Sequence, residues 1–430
     1  MSPVLERIAQ LAQADQKLRF TALAHHITED FLRETWQGLN KRGAAGVDGV
    51  SMRAYGENLD ENLGDLVNRL KAHSYRAPNV RRVYIPKAGN PEKLRPLGVP
   101  TAEDRLLQAA VSRLLTPIYE ADFLDCSFGF RRGRTAHQAL SAVRKSVSSG
   151  ATQWAAEADI KGFYDHLDHK WLMRMLELRI GDPWILRLIG KWLKAGILDE
   201  GTVRTPQEGT PQGGPLSPLL SNVYLHYALD LWFTCVVQPG CGGPARLVRY
   251  ADDFIVLFAL ETDARRFADV LPERIAKFGL ALAEEKTKLI PFGSRHWTPG
   301  QSYPYHFDLL GFRHHLGTSR KGRITVVRIP CPKSVGKFLR GVKGLIVPHK
   351  SFGARRNRLH GEDTVLVGGM PRVPGQWRQA ELEVRHHSTT WREDRGVRKR
   401  GAGRGWGAGG DAGAARSTCR GGRGGGRSAL

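Results

Sequence analysis

Leu247-Val248-Arg249-Tyr250-Ala251-Asp252-Asp253-Phe254-Ile255-Val256-Leu257-Phe258 sets two adjacent aspartates between two apolar runs. Ionised carboxylates inside buried strands are costly unless a cation neutralises them. A hairpin meets both demands, because its apolar flanks enter a sheet while the carboxylates project at its tip. Hard oxygen ligands of this kind suit Mg²⁺, which keeps waters and takes one or two protein carboxylates together with substrate phosphates. Taken alone, an Asp-Asp pair in a turn is as readily a solvated turn. The apolar strands on both sides are what argue for a site.

A third carboxylate has a matching context. Trp154-Ala155-Ala156-Glu157-Ala158-Asp159-Ile160 reads as a short strand with Asp159 near its end, followed by a Gly turn and Phe163-Tyr164. If that strand lies beside the hairpin, Asp159 and Asp252 can bind two metals ~3.5–4 Å apart, the arrangement that activates an attacking hydroxyl and stabilises a leaving phosphate. Asp165 and Asp168 stand nearer the next helix and read as a cap or local ion pair. Gly209-Thr210-Pro211-Gln212-Gly213-Gly214-Pro215-Leu216-Ser217-Pro218 joins a Gly/Pro loop to an apolar helix starting at Ser217-Pro218 or Ser221. Its small residues let backbone approach a nucleotide closely.

Outward from these segments, strands alternate with helices. Residues 1–40 read as helical, with Leu5, Ile8, Leu11 and Leu18 on one stripe. Residues 55–75 form another helix, and Val80–Ile85 a short strand closed by Pro86. Thr101 caps a helix whose buried stripe is Leu106, Leu107, Ala110, Val111, Leu114 and Leu115. Further helices are expected at 136–149, 168–195 (broken at Gly181–Pro183) and 262–279, with short strands at 305–313 and 323–329. With no Gly-rich dinucleotide fingerprint, this order points to an α+β fold.

The chain has 430 residues and carries 65 Lys+Arg against 42 Asp+Glu, a formal charge of +23. Such a surplus points to a polyanionic partner, since cations on phosphates release condensed counterions. No apolar run approaches the ~18 residues that span a bilayer, and residues 1–30 show no apolar stretch of a secretory signal. Five cysteines without metal-ligand spacing fit a reducing cytoplasm. Residues 371–430 hold thirteen Lys+Arg against five Asp+Glu, which leaves residues 1–370 basic in their own right. Thirteen glycines in 396–430 preclude a packed core there. Lacking a regular repeat or interleaved Phe/Tyr, this segment reads as out-of-frame translation of GC-rich DNA more than as an RNA-binding tail.

Eight ordered blocks across roughly residues 40–315 make the chain resemble a bacterial group II intron-encoded reverse transcriptase/maturase. These are KRGAAGVDGVS (41–51), IPKAGNPEKLRPLGVPTAEDRLLQAA (85–110), FGFRRGRTAHQAL (128–140), AEADIKGFYDHLDH (156–169), GTPQGGPLSPLLSNVYL (209–225), YADDF (250–254), LALAEEKTKLI (280–290) and DLLGF (308–312). The resemblance implies a right-hand polymerase: an N-terminal helical extension (1–40), fingers (41–150), a palm with an antiparallel sheet (151–315) and a remnant thumb (316–370), before the Gly/Arg-rich tail (371–430). It implies RNA-templated DNA synthesis, with two Mg²⁺ ions, an RNA template, a DNA primer, dNTPs and intron RNA as partners.

Roles follow by position. Asp159, Asp252 and Asp253 would be the catalytic carboxylates, with the Ile160 carbonyl as an added metal ligand. Lys87 and Arg95 would contact the triphosphate, as a point charge and a fork respectively. Gln212 would touch the nucleotide sugar or 3′-OH, Tyr164 (or Phe163 beside it) would reject a 2′-OH, and Lys286 would lie near the leaving pyrophosphate. Arg132 stands where the family commonly has proline. Past about Leu316 the helical thumb is reduced to basic helices at Lys333–Ile346 and Arg355–Leu359. Two other readings use the same motifs: an RNA-binding splicing cofactor without turnover, and a reverse transcriptase of antiviral defence.

Overall fold

The apolar runs around Asp252-Asp253 become the two strands of one hairpin, in a sheet whose two faces are both covered. The computed structural model describes residues 2–332 and 335–336, apart from 88–89, 200, 205–207, 211–212, 299–303 and 320 and the side chains of 87 and 90–93. The basic helices expected after residue 332 and the Gly/Arg-rich tail lie outside the described residues.

The N-terminal part holds α1 (Pro3–Ala14), α2 (Glu29–Gly38), α3 (Met52–Glu57) and α4 (Leu59–Lys71). Then come β1 (Val80–Lys87), β2 (Asn90–Val99), α5 (Ala102–Asp122) and α6 (Ala136–Ser148). The central part runs β3 (Trp154–Ala158), α7 (His169–Glu177), α8 (Pro183–Leu193), β4 (Ile197–Asp199), β5 (Thr202–Arg204) and α9 (Ser217–Leu225). It continues through β6 (Ala245–Tyr250), β7 (Asp253–Phe258), α10 (Glu261–Ala276) and β8 (Lys288–Pro291), and ends in β9 (Phe307–Leu309), β10 (Phe312–Thr318) and β11 (Ile324–Pro330).

Strands β6-β7-β3-β8, in that order, form an antiparallel sheet. Alternate side chains of β7 serve two cores. Phe254, Val256 and Phe258 join the cluster that contains α9 and α10, whereas Ile255 and Leu257 meet α6 and the β9–β11 sheet. With both faces covered, β7 reads as an unbroken apolar run and β3 as the small residues Ala155, Ala156 and Ala158, all buried. A second sheet, β2-β1-β4-β5, pairs β1 with β2 antiparallel and with β4 in parallel.

Helix α5 buries its whole expected stripe, and Thr101 caps it by accepting from Asp104 N–H at 3.2 Å. Asp168 likewise caps α7, accepting from Trp171 N–H at 2.8 Å, and α9 begins at Ser217 with Pro218 in its first turn.

Four expectations are corrected, the first being the single strand over 305–313, which is a tight hairpin of β9 and β10 turning at Leu310-Gly311. Residues 1–40 are two α-helices separated by irregular backbone, and α1 packs on α5. The helix expected over 55–75 is split at Asn58 into α3 and α4. Pro86 does not close β1: the strand continues to Lys87, paired Pro86 to Leu94, with a register shift just after it. Its partner β2 escapes a reading by pattern because Pro91, Pro96 and Gly98 are all poor strand residues.

Candidate active site

The register of the first sheet sets the site. Antiparallel pairing puts Ala158 opposite Phe254, so the next residue on each strand brings Asp159 beside Asp253. Tyr250 pairs with Asp253, leaving Ala251 and Asp252 as the two residues of the turn. Ala251 takes a left-handed φ of 57°, where hairpins of this length favour glycine. Gly129 lies under it, and a Cβ there would come within 2.4 Å of the Ala251 nitrogen.

The carboxylates feel one another. Asp252 is half-buried, and its acid is raised first by lost hydration and then by Asp159, with Arg95 and Arg249 opposing. Asp253 is pushed up to about 7, by lost hydration and by the charges of Asp252 and Asp159, while Lys286 and Arg95 pull the other way. The repulsion among the three acids is the component that a bound cation would remove. Among the described residues no three His, Cys, Asp or Glu side chains converge closely enough to hold one ion by themselves. The donor set nevertheless fits Mg²⁺, whose sites use one or two carboxylates and complete themselves with water and substrate phosphate. A cation already stands there: the Lys286 ammonium is hydrogen-bonded to the Asp159 carboxylate.

Backbone bonds bring that lysine in. Lys161 N–H donates to Ala281 O and Ala283 N–H to Asp159 O, both at 2.8 Å. The short turn Glu284–Lys286 then closes on Ala283 O and aims its last side chain at Asp159. Ile160 sits buried between these two bonds.

Phe163 and Tyr164 separate clearly. Phe163 is 2% exposed and packs edge-on against Tyr224, as a core residue does. Tyr164 is half-buried, with its hydroxyl 3.4 Å from Ser221 Oγ and near enough to Asp252 for that charge to raise its pKa further, after burial. The Gly/Pro loop is pinned to the same turn: Thr210 N–H donates to Tyr164 O and Gly209 N–H to Leu167 O, each at 2.8 Å. Arg95, opposite Ile85 in the β1–β2 ladder, is exposed, and its charge is felt by both hairpin aspartates. The Lys87 side chain and Gln212 lie outside the described residues.

Reading by motif missed the support beneath the hairpin. Arg249 is fully buried and paired with Asp230, also fully buried, at 2.5 Å. Asn222 and Ser127 complete its surroundings. An arginine just before the aspartates was the one visible signal, and its partners lie far away in sequence.

An antiparallel sheet with an aspartate at the end of one strand and an aspartate pair at the adjacent hairpin tip is the palm of a template-directed nucleotide polymerase. The chain belongs to the reverse transcriptase (RNA-dependent DNA polymerase) family, whose model matches residues 85–314. It is 39% identical over 224 residues to the group II intron-encoded protein LtrA of Lactococcus lactis subsp. cremoris, covering 52% of this chain and 37% of that protein. It is 35% identical over 289 residues to protein YkfC of Escherichia coli (strain K12), covering 60% of this chain and 75% of that one. An uncharacterised 91 kDa protein in the cob intron of Schizosaccharomyces pombe is 37% identical over 164 residues, 38% of this chain and 20% of the relative. The chain thus spans well under half the length of the intron-encoded relatives. Among the described residues no helix is long and apolar enough to cross a membrane, and the four described cysteines are free thiols.

Proposed function

We propose that this chain copies RNA into DNA, adding dNTPs to a primer 3′-OH, in the service of a group II intron. The observation that carries the reading is the register that sets Asp159 beside the Asp252-Asp253 turn. The intron setting is supported by the intron-encoded relatives, and a basic chain of +23 suits an RNA partner.

Asp159 and Asp252, with the Ile160 carbonyl and Asp253 alongside, would hold Mg²⁺. When bound, Mg²⁺ supplies the positive charge that favours the ionised 3′ oxygen and the leaving pyrophosphate. The chain's own residues do the rest by position and charge. Arg95 on β2 would contact the triphosphate, as would Lys87 from the end of β1. Tyr164 forms the floor beside the sugar, where its ring would meet a 2′-OH, and Gln212 would reach the sugar from the Gly/Pro loop. The new bond joins the primer 3′ oxygen to the α-phosphorus as the bond to the β-phosphate oxygen breaks. Lys286, once freed from Asp159, would accompany the departing pyrophosphate.

The test is Mg²⁺-dependent extension of a DNA primer on an RNA template, with Asp252→Ala/Asp253→Ala protein as control. Extension that vanishes in the control is expected. Retained RNA binding without extension in the unaltered protein would instead indicate an RNA-binding splicing cofactor.

A further inference from the structure

We propose that Arg249 is a positioning residue: with Asp230 it forms a buried strut that sets the backbone of the Asp252-Asp253 turn, and so the placement of the carboxylates. A buried ion pair is a poor device for stability alone, because apolar residues of similar volume often serve as well or better. What distinguishes this one is the use of every donor. A guanidinium has five N–H bonds. Nε donates to Asp230 Oδ1 at 2.7 Å, one terminal nitrogen to Asp230 Oδ2 at 2.5 Å and Ser127 Oγ at 2.8 Å, and the other to Asn222 Oδ1 at 3.0 Å and Ala251 O at 2.9 Å.

The Ala251 carbonyl belongs to the turn itself. A non-glycine residue at φ 57° persists only where its surroundings over-determine it. Three contacts do so: the Arg249 bond, the close approach of Gly129, and the Tyr250–Asp253 pair. Asn222 joins two of them, accepting from Arg249 and donating to Gly129 O at 2.8 Å. Arg249 backbone also bonds the 126–128 segment in both directions, to Cys126 O at 2.8 Å and from Phe128 N–H at 2.9 Å. Asn222 lies on α9, directly after the Gly/Pro loop, and Asp230 at the end of the π-helical turn His226–Asp230 that follows. The strut therefore couples the turn to the helix that carries the loop wall and to the 126–129 segment.

Two variants test this. Arg249→Lys keeps a charge for Asp230 but cannot reach four acceptor groups at once, and Arg249→Met/Asp230→Leu removes both charges at similar volume. Melting temperature and RNA binding establish that each folds. Hydrogen exchange of the 250–254 amides and the dNTP dependence of extension then report on the turn. The expected result is folded protein with faster exchange at 250–254, and a turnover loss on the order of a hundredfold with KM for dNTP little changed, the signature of misplaced rather than missing groups. Unchanged exchange and turnover in both folded variants would overturn the proposal. So would failure of both to fold, which would make the pair a stability element. The kinetic arm rests on the polymerase reading. The exchange arm does not, so a protein that never extends primers would refute that reading while leaving the strut testable.

Discussion

Lys286 donates from its ammonium to the carboxylate of Asp159, across 127 residues of chain. The lysine side chain is 59% exposed and the aspartate 24%, so this is a counter-ion at the rim of the site rather than a sealed pair. Without a bound cation, the ammonium neutralises the acid that a divalent ion would otherwise hold. Lys286→Met should therefore bind Mg²⁺ no more weakly than the unaltered protein, and up to about fivefold more tightly, the worth of an exposed pair. If Lys286 serves the leaving pyrophosphate, as proposed, extension should slow. Metal titration by calorimetry separates the two effects, and weaker binding would show that Lys286 organises the site.

Tyr164 and Phe163 are neighbours with opposite surroundings. Tyr164→Val should raise rNTP incorporation relative to dNTP on the order of tenfold or more, as expected when a steric wall is removed, with little change in melting temperature. Phe163→Ala, at a fully packed position, should cost about 3–5 kcal/mol. Competition between rNTP and dNTP in single-nucleotide extension decides the first, and chemical denaturation the second. Unchanged sugar selectivity in Tyr164→Val would remove Tyr164 from the gate.

Gly213 packs the Gly/Pro loop against β2. Its φ is +123°, and a Cβ there would lie 2.5 Å from the Gly98 carbonyl oxygen on β2. Gly213→Ala must displace the loop from that strand or strain both. Extension should fall at least tenfold, while RNA binding, which draws on distributed charge, should change little. A parallel loss of both would place Gly213 in the RNA contact instead.

Asp104 is a buried acid at the start of α5, with Tyr75 donating to it and Trp192 donating to Tyr75 at 3.1 Å. Burial pushes its pKa up to about 7, against the hydrogen bonds that lower it. The folded protein therefore holds a proton that the unfolded chain, with its ordinary value near 4, has already lost. Between these two values stability falls as pH rises, and above about 7 the full cost of the buried charge is present. Asp104→Asn should remove that slope. The difference in melting temperature between variant and unaltered protein should move in the variant's favour from pH 4 to 8, and a pH-independent difference would refute it.

Much of this site is legible by inspection. The hairpin, the Asp159 strand, the α5 stripe and the caps at Thr101 and Asp168 all rest on residues within a few positions of one another, where burial pattern and capping chemistry are local. Strand β2 was hidden by its prolines, and β4 and β5 by their three-residue lengths. The parallel pairing of Val80 with Ile197 joins segments with no pattern in common. Tyr164 and Phe163 were indistinguishable as a dipeptide, because only the packing of Tyr224 and Ser221 around them shows which ring is core and which is half-buried.

The amino-acid sequence alone determined that two aspartates sit at a hairpin tip between buried strands, because an apolar flank and a charged turn admit few other conformations. Only the tertiary structure decided what surrounds those charges. Asp159 lies beside Asp253 through strand register, Lys286 meets Asp159 through a turn docked by two backbone bonds, and Arg249 finds Asp230 nineteen residues back beneath the turn. The energy of a charge depends on every neighbour within several ångströms, and those neighbours are chosen by the fold rather than by adjacency along the chain.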